Sequence, residues 1–248
     1  MRSSLACIAR WVFAAIVALL VVVGVAVAQA GWWKQNSTPG IDVHLTKTKD
    51  FMYKEARIFY YNVETKGFPA QSDVTLILQN LVTGVQPMLL GNFKVNDKGI
   101  VVNSDGSEYS LILGGISPGE TFQLAVGMPS RQINNFDHVT PIPIEARDGA
   151  CHLWAILIGR YGTGYEVHGD GFHPNDKVSF VGNSEGEVHE GQVPAHDDGS
   201  WWTDVLPGVK GKLSGTLKIT ATGTSCKLSI AAPWKAPPGV KQEPPGKS

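Results

Sequence analysis

The chain has 248 residues, with 21 basic and 22 acidic side chains that give a net charge of −1 at pH 7. Residues 1–30 contain two arginines and no acidic residue, so the remainder has 19 basic and 22 acidic side chains and a charge of −3. A chain without excess positive charge lacks the electrostatic footprint that nucleic acids and anionic membrane surfaces attract. We therefore expect neither as a ligand.

Residues 1–30 have the features of a secretory signal peptide. Arg2 and Arg10 give a positive N-terminal region, and an uninterrupted apolar run follows over 11–28. Ala28-Gln29-Ala30 then supplies a small-x-small cleavage site. The alternative is an uncleaved anchor, because this run approaches the roughly 20 residues that span a bilayer. The segment predicts export, with membrane attachment only if it is retained.

From residue 31 onward the pattern is typical of short β-strands. Apolar and polar residues alternate over 41–45, 73–76 and 121–126, and Asn96-Asp97-Lys98-Gly99 is one of several clusters of turn residues. Short alternating runs separated by turn signals indicate a β-sandwich or barrel. No segment in this part has a convincing helical period, so the sequence predicts an all-β fold.

An internal repeat relates the two halves of the chain. Three segments match in the same order: 74–77 with 178–181, 91–99 with 191–199, and 122–126 with 217–221, at offsets of 104, 100 and 95. Such a stepwise change of offset is expected when loops vary in length while strands keep their order. The repeat predicts two tandem immunoglobulin-like β-sandwich domains.

The predicted boundaries follow from the repeat and from composition. Thr140 to Ile144 contains two prolines that favour extended backbone, and it is either the last strand of the first domain or the linker. The proline-rich, apolar-poor C-terminus is predicted to be a disordered tail. The predicted divisions are a signal peptide at 1–30, domains at 31–147 and 148–232, and a tail at 233–248.

The cysteines agree with export. Cys7 lies in the signal peptide, and Cys151 and Cys226 form an even pair for an oxidising compartment. We expect a disulfide that joins the first strand of the second domain, 151–158, to its last strand, 226–230. Two buried free thiols are the alternative.

The second half resembles bacterial immunoglobulin-like and IPT/TIG repeats. Residues 167–174, Val-His-Gly-Asp-Gly-Phe-His-Pro, are similar to their opening hydrophobic-x-Gly-x-Gly-Phe-x-Pro hairpin, and Asp176 and a strand over 177–181 follow as in those repeats. Residues 198–201, Asp-Gly-Ser-Trp, are similar to their turn and following strand. In the first half, Gly67-Phe68-Pro69 lacks the preceding Gly-x. The cysteine pair is not part of the usual pattern.

That resemblance implies a spacer, an adhesin stalk or an accessory binding module, and no shared catalytic residues. The chain is therefore expected to be an exported, non-enzymatic binding or scaffold protein that presents loops or strand edges to a protein partner at the cell envelope. No cofactor is expected. One alternative is a carbohydrate-binding accessory module that uses an exposed tryptophan.

Trp201 and Trp202 are the candidate binding aromatics. Adjacent residues in a strand point to opposite faces, so one indole is expected in the core and the other at the surface or at a domain interface. Exposed aromatic side chains stack on sugar rings or anchor protein partners. Burial of both indoles in core and interface packing is the alternative.

One further motif has the spacing of a catalytic site. Gly115-Ile116-Ser117-Pro118-Gly119 has the spacing of a nucleophile elbow, but Pro118 has no N–H for an oxyanion hole and a strand pattern follows. We interpret it as a turn.

Histidines concentrated in the second half raise the hypothesis of a small secreted metalloenzyme, although their spacing lacks a tight ligand pair. These histidines are His168, His173, His189 and His196.

Overall fold

A computed structural model describes residues 37–128 and 131–239 of the chain. The predicted signal peptide, and the predicted tail beyond residue 239, lie outside the described residues. Within the described part the chain forms β-strands with no α-helix, and no helix there is long and apolar enough to cross a membrane. The predicted all-β architecture of two tandem β-sandwiches is confirmed.

The first sandwich consists of two antiparallel sheets. Sheet I has the strand order β1-β2-β6, and sheet II has the order β5-β4-β3-β7-β8. The strands are β1 (Asp42–Tyr53), β2 (Ala56–Lys66), β3 (Asp73–Asn80), β4 (Met88–Val95), β5 (Val101–Val102), β6 (Ser110–Gly114), β7 (Phe122–Met128) and β8 (Ile133–Val139).

The second sandwich has the same two-layer plan. Sheet III has the order β14-β11-β10-β9, and sheet IV has the order β13-β12-β15-β16. The strands are β9 (Ile144–Asp148), β10 (Cys151–Gly159), β11 (Gly164–Asp170), β12 (Lys177–Ser184), β13 (Glu187–Pro194), β14 (Trp201–Val205), β15 (Ser214–Thr222) and β16 (Lys227–Lys235). A short 3-10 turn, Arg160–Gly162, joins β10 to β11.

Period-two hydrophobicity explains the layers. In β10, Leu153, Ala155 and Leu157 are buried and the residues between them are not, so one face of the strand packs inward. Each sandwich has its own core between its sheets: Phe59 and Leu124 lie in the first, and Leu153 and Ile219 in the second. Burial of these side chains is the main force that holds each pair of sheets together.

Strand register reproduces the sequence repeat. Leu76 of β3 pairs with Val126 of β7, and Phe180 of β12 pairs with Ala221 of β15, which are the partners that offsets of 104 and 95 predict. The turns agree as well, because Gly99 and Gly199 both have φ near +80° and both donate to the carbonyl three residues earlier. The predicted tandem repeat is confirmed at the level of individual pairs.

The predicted disulfide joins Cys151 to Cys226 and is confirmed. Cys151 begins β10 in sheet III, and Cys226 immediately precedes β16 in sheet IV. The bridge therefore links the two layers of the second sandwich. Tyr165 makes a second link between these layers, since its hydroxyl donates a 2.5 Å hydrogen bond to the carbonyl of Pro233.

Two structural details differ from the predicted boundaries. β9 pairs with β10, so the predicted division at 147/148 passes through a strand of sheet III, and Ile144 of that strand is buried in the second core. β16 continues to Lys235 with Trp234 buried, so its last three residues lie beyond the predicted boundary at 232/233. Pro233 is tolerated there because β16 is an edge strand.

The two sandwiches contact each other through backbone hydrogen bonds and apolar packing. The N–H of Thr83, in the loop after β3, donates to the carbonyl of Ile158 at 2.8 Å, and the N–H of Leu157 donates to the carbonyl of Gly119 at the same distance. Val82 is buried within the core of the second sandwich. These contacts fasten the end of β10 to two loops of the first sandwich.

Candidate binding surface on sheet III

The outer face of sheet III is formed by the residues of its strands that alternate with the core positions. Four of them lie side by side on adjacent strands: Trp154 of β10 pairs with Glu145 of β9 and with His168 of β11, and His168 in turn pairs with Trp202 of β14. Three of these four side chains are aromatic. We call Trp154, His168 and Trp202 the aromatic row.

Ring stacking fixes one end of the aromatic row. The rings of Trp154 and His168 are 5.0 Å apart between centroids and nearly parallel, with an angle of 8°. The ring of His152, two residues before Trp154 in β10, stacks on the same indole at 4.5 Å. Trp154 is thus in contact with two imidazoles, and the three rings form one stacked unit on the sheet.

Two glutamates hold the imidazoles of this stack in place. Nε2 of His152 lies 2.7 Å from a carboxylate oxygen of Glu145, and Nε2 of His168 lies 2.7 Å from a carboxylate oxygen of Glu166. All four side chains retain some exposure to solvent. Each glutamate therefore orients a ring of the stack while remaining able to accept a hydrogen bond from a ligand.

The other end of the aromatic row is open. Trp202 is 56% exposed, and within the described residues no other ring stacks on it. Trp201 is 2% exposed and packs edge-on against Phe172 in the core. The two indoles lie on opposite sides of β14, which is the arrangement that strand alternation predicts.

The core below fixes the position of β14. A Cβ on Gly169, in the neighbouring strand, would lie 2.2 Å from Nε1 of Trp201, so only glycine leaves room for this indole. Ahead of β14, Ser200 donates both its N–H and its hydroxyl to Asp198, and these hydrogen bonds lower the pKa of the Asp198 carboxyl. The turn and the buried indole together set the direction in which Trp202 faces.

Acidic side chains surround the open end of the row. Asp204 follows Trp202 on the same face of β14 and pairs with Glu166, and Asp170 ends β11. Neither β11 nor β14 contains a lysine or an arginine. The neighbours of Trp202 on this face are thus acidic, which favours ligands with hydroxyl or ammonium donors and disfavours anions. Arg147, on β9 at the other side of the same face, forms an ion pair with Glu145 at 3.4 Å.

The equivalent position in sheet I has a different composition. The pair Asp42–Lys66 of the first sandwich corresponds to the pair His152–Asp170 of the second. Two residues further along β1, His44 pairs with Glu64. Two residues further along β10, Trp154 pairs with His168. The same backbone pairing is therefore compatible with polar side chains. The aromatic row is not required by the fold.

The sequence alone indicates Trp202 as a candidate binding residue, but it does not indicate the other residues of this surface. Glu145, His152 and Trp154 lie on the outward face, and they meet each other and His168 only through the pairing of β10 with β9 and β11. The signal that was available is the outward spacing of His152 and Trp154 in β10, between the buried Cys151, Leu153 and Ala155.

The four histidines of the metal hypothesis lie in separate elements. His168 is in β11 and His189 is in β13, on a different sheet, while His173 and His196 lie in loops. Among the described residues no group of three or more histidine, cysteine, aspartate or glutamate side chains is close enough to hold a metal ion. The structure does not bring these four residues together.

The segment around Ser117 lies where the two sandwiches meet. It follows β6, turns at Pro118 and Gly119, and continues directly into β7. The N–H of Ser117 donates to the carboxylate of Glu120, and the carbonyl of Gly119 accepts from Leu157 across the joint. The segment is a turn without the helix that a nucleophile elbow requires.

Comparisons with known proteins identify no family. No family model matches the chain, and no curated protein matches it. Among solved structures it is similar to one described as a tetra-tandem repeat in the extending region of a large adhesion protein, at 14% identity and a TM-score of 0.28. The match covers 79% of this chain and 49% of that chain, so it spans about half of that chain's length. The resemblance to IPT/TIG repeats stays a prediction.

Proposed function

We propose that this chain is an exported, non-enzymatic binding protein of the cell envelope, with the outer face of sheet III as its binding surface. The observation that supports this most directly is the exposed indole of Trp202 at the end of a row of rings. Tryptophan combines a large apolar surface with an N–H donor and is enriched at contacts with partners, so an exposed indole in such a row favours a binding role.

The difference between the two sandwiches supports the same assignment. His44 and Glu64 occupy in sheet I the positions that Trp154 and His168 occupy in sheet III. Since the fold is built equally well with polar side chains there, the rings of sheet III are better explained by a ligand than by folding. The proposal therefore places recognition on one sandwich and gives the other a supporting role.

Export is supported by two features of the chain. The predicted signal peptide at 1–30 directs a protein out of the cytoplasm. The disulfide between Cys151 and Cys226 is the kind of bond that persists in oxidising compartments. Both features fit a periplasmic, secreted or cell-surface protein.

A scaffold role for the first sandwich is supported by the joint. Val82 packs into the core of the second sandwich, and the hydrogen bonds of Thr83 and Leu157 hold backbone to backbone. A binding surface on a firmly supported sheet needs little ordering when a ligand arrives, which favours affinity. We propose that the first sandwich positions sheet III relative to the rest of the envelope.

The proposal includes no catalytic step. Ser117 lies in a turn at the joint, and the histidines of the metal hypothesis lie in separate elements. The sequence predicts that loops or strand edges bind a protein partner. The geometry favours the face of sheet III, because its exposed aromatic side chain and its free carboxylate oxygens lie there together.

Retention on envelope fragments tests the proposal. The mature chain and its Trp202→Ala variant are incubated with sedimented envelope of the producing organism, and the bound fraction is measured at several concentrations. We expect the variant to bind at least tenfold more weakly, because removal of a central aromatic contact typically costs 2 kcal/mol or more.

Ile112→Ala is the matched control. Ile112 is 55% exposed on sheet I, so the variant truncates an apolar side chain of almost the same fractional exposure on the other sandwich. Neither substitution is expected to change stability by more than about 0.5 kcal/mol, which thermal unfolding will check. Equal retention of wild type and Trp202→Ala would exclude the outer face of sheet III as the binding surface.

A further inference from the structure

The face around Trp202 has a specific combination of features: an open aromatic ring, a row that crosses the strands, and acidic residues on β11 and β14, two strands that contain no lysine or arginine. From these we infer that the ligand of this surface is a polysaccharide of uncharged or amino-bearing sugars, an inference that rests on the proposed function. Each of the three features restricts the ligand independently.

The open ring provides the first restriction. The indole of Trp202 is 56% exposed, and no ring of the described residues stacks on it, so aromatic surface is available to a ligand. The apolar C–H face of a pyranose ring is flat and carries partial positive charge, and it stacks on the electron-rich face of an aromatic ring. A sugar ring therefore matches Trp202 in both shape and charge.

The direction of the row provides the second restriction. Trp154, His168 and Trp202 lie on three adjacent strands in register. Neighbouring strands are about 4.8 Å apart, so the row extends for about 10 Å across the sheet. One sugar unit of an extended polysaccharide is about as long as one strand spacing. A chain that crosses the strands could thus place successive rings over Trp202 and the stacked unit beside it.

The carboxylates provide the third restriction. Asp204, Glu166 and Asp170 lie on the same face as the open indole, on β14 and the adjacent β11, and neither strand contains lysine or arginine. The arginine of this sheet's outer face, Arg147, lies on β9 and is paired with Glu145. Carboxylate oxygens accept hydrogen bonds from hydroxyl and ammonium groups and repel other anions. Uronate, phosphate or sulfate groups on the ligand would be repelled, whereas neutral sugars and amino sugars would gain charge-assisted hydrogen bonds.

Affinity electrophoresis with three soluble polymers tests the inference. The polymers are hydroxyethyl cellulose, which is neutral, chitosan, which has amino groups, and alginate, which has carboxylates. We expect retardation of the mature chain by the neutral polymer, the amino polymer or both, and none by alginate. Trp202→Ala should weaken this binding at least tenfold, and Ile112→Ala should leave it unchanged.

Two further measurements separate specific recognition from simple charge attraction. Trp202→Ala preserves the charge of the protein, so chitosan binding that survives this substitution is non-specific and counts against the inference. Asp204→Asn should weaken binding of chitosan more than binding of hydroxyethyl cellulose, because an ammonium group depends more on the carboxylate charge than a hydroxyl group does.

The outcomes that overturn the inference also distinguish it from the proposed function. If alginate binds as tightly as the other polymers, or if no polymer binds, the ligand is not a polysaccharide of uncharged or amino-bearing sugars. If envelope retention still depends on Trp202 in that case, the binding surface stands and its ligand is of another class. Trp202-dependent binding of poly-lysine without binding of polysaccharide would point to a basic protein segment instead.

Discussion

Sheets I and III have equivalent strand pairings, yet residues of opposite charge lie beside the exposed aromatic rings of their outer faces. On sheet I the ammonium group of Lys49 lies 4.3 Å from the ring centroid of Tyr60, and Phe51 stacks on the same ring. On sheet III the indole of Trp202 is open and its neighbours are carboxylates. The rings of sheet I, including the 59% exposed Tyr53 beside Lys54, thus lie next to cations, whereas the exposed ring of sheet III has acidic neighbours.

The interiors differ at equivalent positions as well. Asp42 in the first sandwich corresponds to His152 in the second, because each pairs with the equivalent residue of the next strand. The residue before it is Ile41 in the first sandwich and Cys151 in the second. At the offset of 104, Thr65 corresponds to Gly169, which makes room for Trp201 in the second core. The second sandwich thus depends on a disulfide and on a close glycine–indole contact where the first uses ordinary side chains. Three experiments exploit these differences.

The largest effect is expected from removal of the disulfide. The bridge closes a loop with a sequence separation of 75 residues, for which the chain-entropy model gives about 4 kcal/mol of stability. We expect Cys151→Ala combined with Cys226→Ala to lower the free energy of unfolding of the second sandwich by this order. Urea unfolding followed by tryptophan fluorescence measures it, because Trp154, Trp201 and Trp234 lie in that sandwich.

The first sandwich serves as the internal control for that experiment. Near-ultraviolet signals from Tyr61, which is buried in the first core, should keep their midpoint in the double variant. An equal loss of stability in both sandwiches would show that they unfold as one unit through the joint, and the comparison between them would then fail.

A smaller effect is expected from Gly169→Ala. The added methyl group would meet the indole of Trp201 at 2.2 Å, and an overpacked core costs about 2 kcal/mol. Gly208→Ala is the matched control, because no atom lies within 4 Å of its Cβ position. A Gly169 variant as stable as the control would mean that the indole of Trp201 is not confined as described, and the same urea titration decides it.

The smallest effect concerns one buried tyrosine in each sandwich. Burial raises the pKa of Tyr61 to about 12, with a contribution from the negative charge of Asp50, and burial alone raises the pKa of Tyr165 to about 12. A phenol whose folded pKa lies above the ordinary value of about 10 contributes its full stability below pH 10 and loses it as pH rises toward 12. At pH 11 the ionisation of each tyrosine should therefore lower the free energy of unfolding by about 1.4 kcal/mol relative to neutral pH.

Phenylalanine substitutions assign this alkaline loss to the two sandwiches. Tyr61→Phe should reduce the fall in stability between pH 8 and pH 11 in the first sandwich only, and Tyr165→Phe in the second only. At pH 8, Tyr165→Phe should also cost about 1 kcal/mol, because the hydrogen bond to Pro233 is lost. An unchanged pH dependence in both variants would contradict the burial of these hydroxyl groups.

Much of the fold could be predicted from the sequence because strand periodicity is a local property. The match of 74–77 with 178–181 and of 122–126 with 217–221 predicts that the pairing of β3 with β7 in one sandwich is repeated by β12 with β15 in the other, as the structure shows. The ends of the second sandwich could not be predicted as well. Prolines next to β9 and within β16 resemble linker sequence, and only pairing with β10 and β15 shows that these segments are strands.

The candidate site was predictable only in part. Alternation indicated that one of Trp201 and Trp202 would be exposed, since it depends on adjacent residues alone. Which indole faces outward depends on Gly169, which is 32 residues away from Trp201 in sequence. The stack of His152, Trp154 and His168 depends on the register of two strands, so no single stretch of sequence reveals it.

The sequence by itself determined the all-β class, the repeated order of strands and the pair of cysteines that could bridge, because each is set by local hydrophobic period, turn residues or residue count. Only the tertiary structure decided that rings from β10, β11 and β14 form one row, that carboxylates surround its open end, and that the first sandwich lacks it. These features arise from contacts between strands that are distant along the chain, and cross-strand register is fixed by packing rather than by local preference.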